Sequence, residues 1–149
     1  MNKILITTAI DYVNDVLHIG HAYQKIVADV LARHYRLTKG KNNVFFLTGT
    51  DEHGGKAQEA AKAAGRPVKD FVDKIALADQ KQQDALNISY DRFIRTTDSD
   101  HIATVVDFWK KIQKNGDIYL GEFKGKYCRE FESFKTEKEL ENDHCPFHH

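Results

Sequence analysis

The chain has 149 residues, 41% hydrophobic and 30% charged, with 22 basic side chains balanced by 22 acidic ones. That length suits about one domain, and zero formal net charge argues against a polybasic arm while leaving room for a local basic patch that meets RNA. The sequence holds no apolar run near the roughly 20 residues that cross a bilayer, Asp11 interrupts the apolar opening too early for a signal peptide, and two cysteines cannot build a disulfide framework, so a cytoplasmic, reducing setting is expected.

Taken in chain order, residues 4–9 form a short β-branched run expected to be a buried strand, and residues 11–17 read as a loop. From 19 to 37 the apolar residues Ile19, Ala22, Ile26, Val27, Val30, Leu31 and Leu37 recur at helical spacing, which predicts one buried face, and Gly40 ends the helix. Residues 44–48 predict a second buried strand, completing a βαβ unit with parallel strands. Helices follow over 56–64, stopped by Gly65, and after Pro67, where Phe71, Val72, Ile75, Ala78, Ala85 and Leu86 mark the inner face. A β-prone run over 90–96 precedes a helix to Lys114, capped by Asp98 or Ser99, with Val105, Phe108, Trp109 and Ile112 inward. Beyond Gly116 two short strands are predicted, 118–123 and 125–128, around a glycine turn, and Thr136 to Glu139 has capping-box spacing. A boundary is placed at Gly116, dividing the chain into 1–116 and 117–149.

Two polar constellations fall where strands end. His18-Ile19-Gly20-His21 sits at the start of the first helix, whose free N–H groups and dipole favour phosphate, and two imidazoles three apart share a face there. Taken alone, the pair is also readable as two surface histidines. Thr48-Gly49-Thr50-Asp51-Glu52-His53-Gly54 follows the second strand, and Asp51 there is either a partner for a substrate ammonium or a helix cap. Neither a Walker loop nor a GxGxxG fingerprint is present.

The ordered set Tyr12-Val13-Asn14, His18-Ile19-Gly20-His21, Ala28-Asp29, Arg33, the segment from Thr48 to Gly54, and Phe93-Ile94-Arg95-Thr96-Thr97 resembles the opening of the methionyl branch of the class I aminoacyl-tRNA synthetases. The likeness runs along nearly the whole chain. It implies an α/β fold: the first half of a Rossmann-type parallel-sheet catalytic domain, then the beginning of a connective-peptide, zinc-knuckle-like insertion. It implies that the parent activates L-methionine with ATP and Mg2+ to methionyl-adenylate and transfers it to tRNA(Met). His18 and His21 would stabilise the transition state at the α-phosphate, Gly20 would make room for adenine, and Asp51 would hold the methionine ammonium in a pocket shared with Ala9, Ile10 and Tyr12.

The resemblance further implies a Zn2+ site, matched here by Cys128, Cys145 and His148, whereas Phe131 stands where a ligand is expected. His144, His149 and Glu130 are the other candidates for a fourth donor. Other departures are Ala9, Asp11 and Leu17; the Asp11 carboxylate either disturbs methionine binding beside the pocket or faces solvent, and the second is the expectation. The lysine-rich signature loop of the family's second half does not occur, so the chain is expected to be an N-terminal fragment, inactive without the missing C-terminal half. The competing expectation is a non-catalytic paralogue that binds nucleotide, amino acid or RNA.

Overall fold

The computed structural model describes residues 3–148, and the chain divides into two compact units, Met1–Ala103 and Thr104–His149. The first contains β1 (Ile4–Thr7), β2 (Asp11–Tyr12), α1 (Ile19–Lys39), β3 (Val44–Asp51), α2 (Gly55–Ala63), α3 (Val68–Ala85), β4 (Arg92–Arg95) and the start of α4 (Ser99–Lys114). The predicted parallel arrangement is present. β3 is central, pairing parallel with β1 from Ile4↔Val44, with β2 at Asp11↔Thr50 and Tyr12↔Asp51, and with β4 from Leu47↔Arg92. The carbonyls of β3 explain the layout: Leu47 and Asp51 accept from Thr8 and Val13, whereas Phe46 and Thr50 accept from Asp91 and Thr96. Alternate carbonyls of a strand point to opposite edges. β1 and β2 therefore share one edge of β3, and β4 takes the other.

Two apolar clusters fill this unit. Phe46 of β3 packs with Ala28 and Ala32 of α1 and with Ile88, while Val13 packs with Ala57, Val72, Ile75 and Ala76 of α2 and α3. Alanines at positions 28 and 32, one helical turn apart, let α1 approach the sheet closely. Burying a phenylalanine such as Phe46 contributes about 1.5–3 kcal/mol.

The buried face of α1 differs from the one its apolar spacing predicts. Lys25, Ala28, Asp29 and Ala32 are buried, whereas Ile19, Ile26, Val27, Val30, Leu31 and Leu37 are exposed. Buried polar groups survive there because each has partners: the Asp29 carboxylate accepts from Arg33, from the Ser89 backbone and from the Ser89 hydroxyl. These hydrogen bonds overcome burial and hold its carboxyl below the usual range. On α3, Asp79 and Gln83 extend the buried stripe of Val72, Ile75 and Ala76, while Ala85 and Leu86 lie outside it. Residues on α4 expected inward, Val105, Phe108 and Trp109, are exposed as well.

In the second unit β5 (Lys126–Cys128) pairs antiparallel with β6 (Ser133–Lys135), and Thr136 caps a short 3-10 turn, Glu137–Glu139, through the predicted capping box. Residues 118–123 form no strand, contrary to the alternation read there. The partner for β5 comes instead from beyond it in the chain. Gly125 is needed for proximity: a Cβ there would come within 2.7 Å of the Lys135 carbonyl.

Candidate functional site

α1 opens on an imidazole cap. His18 is the N-cap, and its Nδ1 accepts from the Gly20 N–H at 3.0 Å, while His21 Nδ1 accepts from the His18 N–H at 3.3 Å. The result is a capping box built from two histidines, with rings stacked at 3.8 Å between centroids. A nitrogen that accepts cannot carry the proton, so in the neutral rings both protons sit on Nε2. Each ring thus keeps one N–H donor for another group. The first turn of α1 has no acidic residue to offset the helix dipole. Gly20 is tightly defined: a Cβ there would sit 2.9 Å from His18 Cε1. Any side chain at that position would push against the imidazole that caps the helix.

Ala9, Ile10 and Tyr12 follow the carboxyl end of β1, and Asp51 ends β3 in register with Tyr12. The expected amino-acid residues are therefore gathered at one end of the sheet, the end from which the chain leads into α1. A polar cluster beneath this segment was not foreseen. Asp11 does not face solvent; it is buried and pairs at 2.7 Å with Lys25 Nζ, whose side chain is 0% exposed. The same ammonium donates to the Ala9 carbonyl at 2.6 Å and to Thr8 Oγ1 at 3.0 Å, and Thr8 Oγ1 meets Thr48 Oγ1 at 2.9 Å. One lysine on α1 thus ties the β1–β2 connection to the helix. Residues 11–17, read as a loop, begin as strand β2 because Asp11 and Tyr12 find the exposed edge of β3.

Asp79 of α3 belongs to the same buried neighbourhood. Among the described residues no hydrogen bond of full geometry reaches its carboxylate oxygens, and burial, reinforced by the charges of Asp11 and Asp15, pushes its carboxyl up to about 7 against the pull of the Leu17 N–H and of Lys25. Gln83, one turn on, also has its amide atoms unpaired.

At the end of β3, Glu52 is buried and receives Arg95 on both oxygens, at 2.6 and 2.9 Å, with Thr50 at 2.7 Å and the Thr97 hydroxyl completing its shell. Arg95 also reaches Asp73 on α3 at 2.5 Å, and the Glu52 N–H donates to Thr96 Oγ1 at 2.8 Å. Bidentate pairing of this kind is strong and directional. It explains why an acidic loop and a distant Arg-Thr-Thr run occur in one sequence. A cavity of about 550 Å³ opens beside this lock, bordered by His53, Lys69, Asp73 and Ser99. A second, of about 520 Å³, lies near Arg33, Arg36 and Lys41. His18, His21 and Asp51 border neither.

In the second unit the predicted metal residues come together. Cys128 Sγ, Cys145 Sγ and His148 Nδ1 lie within 4.8 Å of one another, with the imidazole nitrogen 3.5 Å from Cys128 and 3.6 Å from Cys145. Zinc–sulfur bonds near 2.3 Å and zinc–nitrogen bonds near 2.0–2.1 Å at tetrahedral angles give an S···N edge of roughly 3.5 Å. The donor set fits zinc. Phe131 packs beside the group, with its ring 4.6 Å from the His148 ring and 5.8 Å from Phe147. His149 lies outside the described residues.

Sequence reasoning missed Lys25, Glu52, Arg95 and Asp79 as shapers of the site. An aspartate one turn after Ile75 on the expected inward stripe of α3 was the available signal for Asp79, whereas Lys25 lies off the face that apolar spacing predicts for α1.

Residues 4–149 match the family model described as tRNA synthetases class I (M). The chain is 47% identical over 148 residues to a methionine–tRNA ligase of Clostridium tetani and 49% identical over 142 residues to one of Campylobacter jejuni. It covers 23% and 22% of those proteins, while 98% and 95% of the chain is matched, so it spans under a quarter of their length. Among solved structures, Mycobacterium tuberculosis methionyl-tRNA synthetase in complex with methionyl-adenylate superposes with a TM-score of 0.88 at 45% identity, over 96% of this chain and 28% of that one.

Proposed function

Because the chain belongs to the class I tRNA synthetases (M), we propose that it is the N-terminal portion of a methionine–tRNA ligase. The whole enzyme activates L-methionine with ATP, taken as its Mg2+ complex, and passes the methionyl group to tRNA(Met). Residues 1–116 are the first half of the catalytic domain and 117–149 the beginning of the connective-peptide insertion. The observation that carries this is the pair of Nε2–H donors at an unneutralised helix N-terminus, at the end of the sheet where Asp51 closes β3.

The chemistry follows from position and charge. The methionine carboxylate attacks the α-phosphorus, a new P–O bond forms, and pyrophosphate leaves with the electrons of the broken bond. His18 and His21 donate to phosphate oxygens as their charge grows, and the helix dipole acts in the same direction. Asp51 holds the ammonium, and Ala9, Ile10 and Tyr12 line the side-chain pocket, so the carboxylate is aimed at phosphorus. No protein group acts as a nucleophile. Lys25 fixes the Ala9 carbonyl and Asp11, and through them the pocket wall.

Cys128, Cys145 and His148 are proposed to hold Zn2+, which supplies no reaction chemistry and cross-links the ends of the knuckle. Among the described residues no helix is long and apolar enough to cross a membrane, and a cytoplasmic setting suits the two free cysteines.

The test mixes this chain with a separately expressed downstream portion of the kind its relatives carry and measures methionine-dependent ATP–pyrophosphate exchange. Exchange that disappears with His21→Ala is the expected result. No exchange, with both pieces folded and associated, points instead to a non-catalytic paralogue.

A further inference from the structure

Phe131 leaves a proposed zinc ion one donor short, since structural sites take four. We infer that Glu130 supplies the fourth donor, an inference that rests on the zinc reading above.

Three observations carry it. The Cys128 thiol donates to Glu130 Oε2 at 3.6 Å. Zinc–sulfur and zinc–oxygen bonds near 2.3 and 2.0–2.2 Å give a tetrahedral S···O edge of roughly 3.5 Å, so the carboxylate already stands one edge from the first ligand. Glu130 also lines the same cavity, of about 230 Å³, as Cys128, Cys145 and His148. Its carboxylate meets the group at Cys128 alone and stands outside the close trio of Cys128, Cys145 and His148, so ligation requires the side chain to turn inward. The third observation is charge. Two thiolates and a carboxylate leave the zinc centre with one net negative charge, as three thiolates would, and the cavity is bordered by Arg129, by Lys135 facing Glu139, and by Lys126 paired with Asp143, which also lines it. A second imidazole would leave a neutral centre among those cations.

His144 is the rival donor, since it borders the cavity too, but among the described residues it is Glu130 and not His144 whose side chain is hydrogen-bonded to one of the three ligands. Phe131 cannot ligate; its ring packs on His148 and carries Lys135 Nζ 4.6 Å above it. That packing orients the imidazole from the side where the resemblance expects a sulfur.

The experiment uses the full chain without a histidine tag. Zinc content is measured by elemental analysis, and zinc affinity by competition with a chromophoric chelator, for the parent, Glu130→Gln, Glu130→Ala and His144→Ala proteins. The same four are loaded with Co2+ and their d–d and thiolate charge-transfer bands recorded. The expected result is one zinc per chain, an affinity at least about tenfold weaker in both Glu130 variants, an altered d–d envelope in those two, and no change in His144→Ala. Retained thiolate bands in Glu130→Gln show that Cys128 and Cys145 still bind, which separates loss of a ligand from loss of the fold. Zinc bound with unchanged affinity and cobalt spectra in the Glu130 variants overturns the fourth-ligand assignment and leaves the three-residue site standing. Failure of the parent chain to bind zinc overturns both.

Discussion

Gly49 shows how much a single missing atom decides. A Cβ there would lie 1.8 Å from the Ile94 carbonyl oxygen, its register partner on β4, and backbone cannot yield as a flexible side chain can. Gly49→Ala is expected to cost at least about 3 kcal/mol, read from urea unfolding, with β4 displaced from β3. Lys25 is decisive for a different reason, because its ammonium is buried and answers three oxygens at once. Removing one member of a buried ion pair costs about 3–5 kcal/mol, mostly by stranding the other charge. Lys25→Met should therefore destabilise by about that amount, and adding Asp11→Leu should recover much of the loss in a double-mutant cycle. An additive cycle would show that the two charges do not interact. The motif residues could be found in the sequence because their types and order are distinctive. The Lys25–Asp11 pair could not, since nothing in a linear sequence says that a lysine at an inward position has an aspartate waiting for it.

Among elements, α3 carries the most consequential polar choice. Asp79 sits on its buried stripe, faced by Asp11 from β2, Asp15 from the following loop and Lys25 from α1. Its carboxyl is raised from 3.8 to about 7, so the folded state binds a proton that the unfolded state releases between those values. Stability from this group is complete below about pH 4, falls as pH rises, and is lost above about pH 7, for a total of a few kcal/mol. Asp79→Asn should remove that decline. The difference in unfolding free energy between variant and parent is expected to grow from pH 5 to pH 8, and a constant difference would show that Asp79 ionises normally. The helices themselves were readable, with α1 ending at Gly40 and α3 beginning after Pro67 as their punctuation predicts. Their inward faces were less so. Apolar periodicity reports every face fit for burial, and on α1 the sheet covers the face carrying Ala28 and Ala32 while the more apolar face is open. The strand expected over 118–123 failed for a related reason: alternation makes a strand possible, but a partner makes it real.

The first unit leaves apolar residues open on more than one face, since Leu5 and Phe45 lie on the sheet face opposite the one where Ile6 and Phe46 pack against α1. β1 exposes Leu5, β3 exposes Phe45, and α1 exposes Tyr23, Val30 and Leu31. Apolar surface of this kind beside an unpaired strand edge promotes association. The isolated chain is expected to show concentration-dependent self-association in sedimentation, reduced by Leu5→Lys with Val30→Glu. Addition of a downstream portion that restores pyrophosphate exchange should suppress it where that portion covers these residues. A monomer at all concentrations would show that the exposed residues are too scattered to act together.

The Glu52–Arg95 lock also has a consequence in time. Its partners are separated by 43 positions, and β4 reaches β3 only after α2 and α3 have been laid down between them. A nascent chain emerging from the ribosome could pair β1 with β3 early, yet the acidic turn after β3 would stay unfastened until Arg95 arrived. The end of the sheet that carries Asp51 is then the last part of this unit to become rigid. An incomplete chain ending before that arginine would have most of its secondary structure and no shaped site.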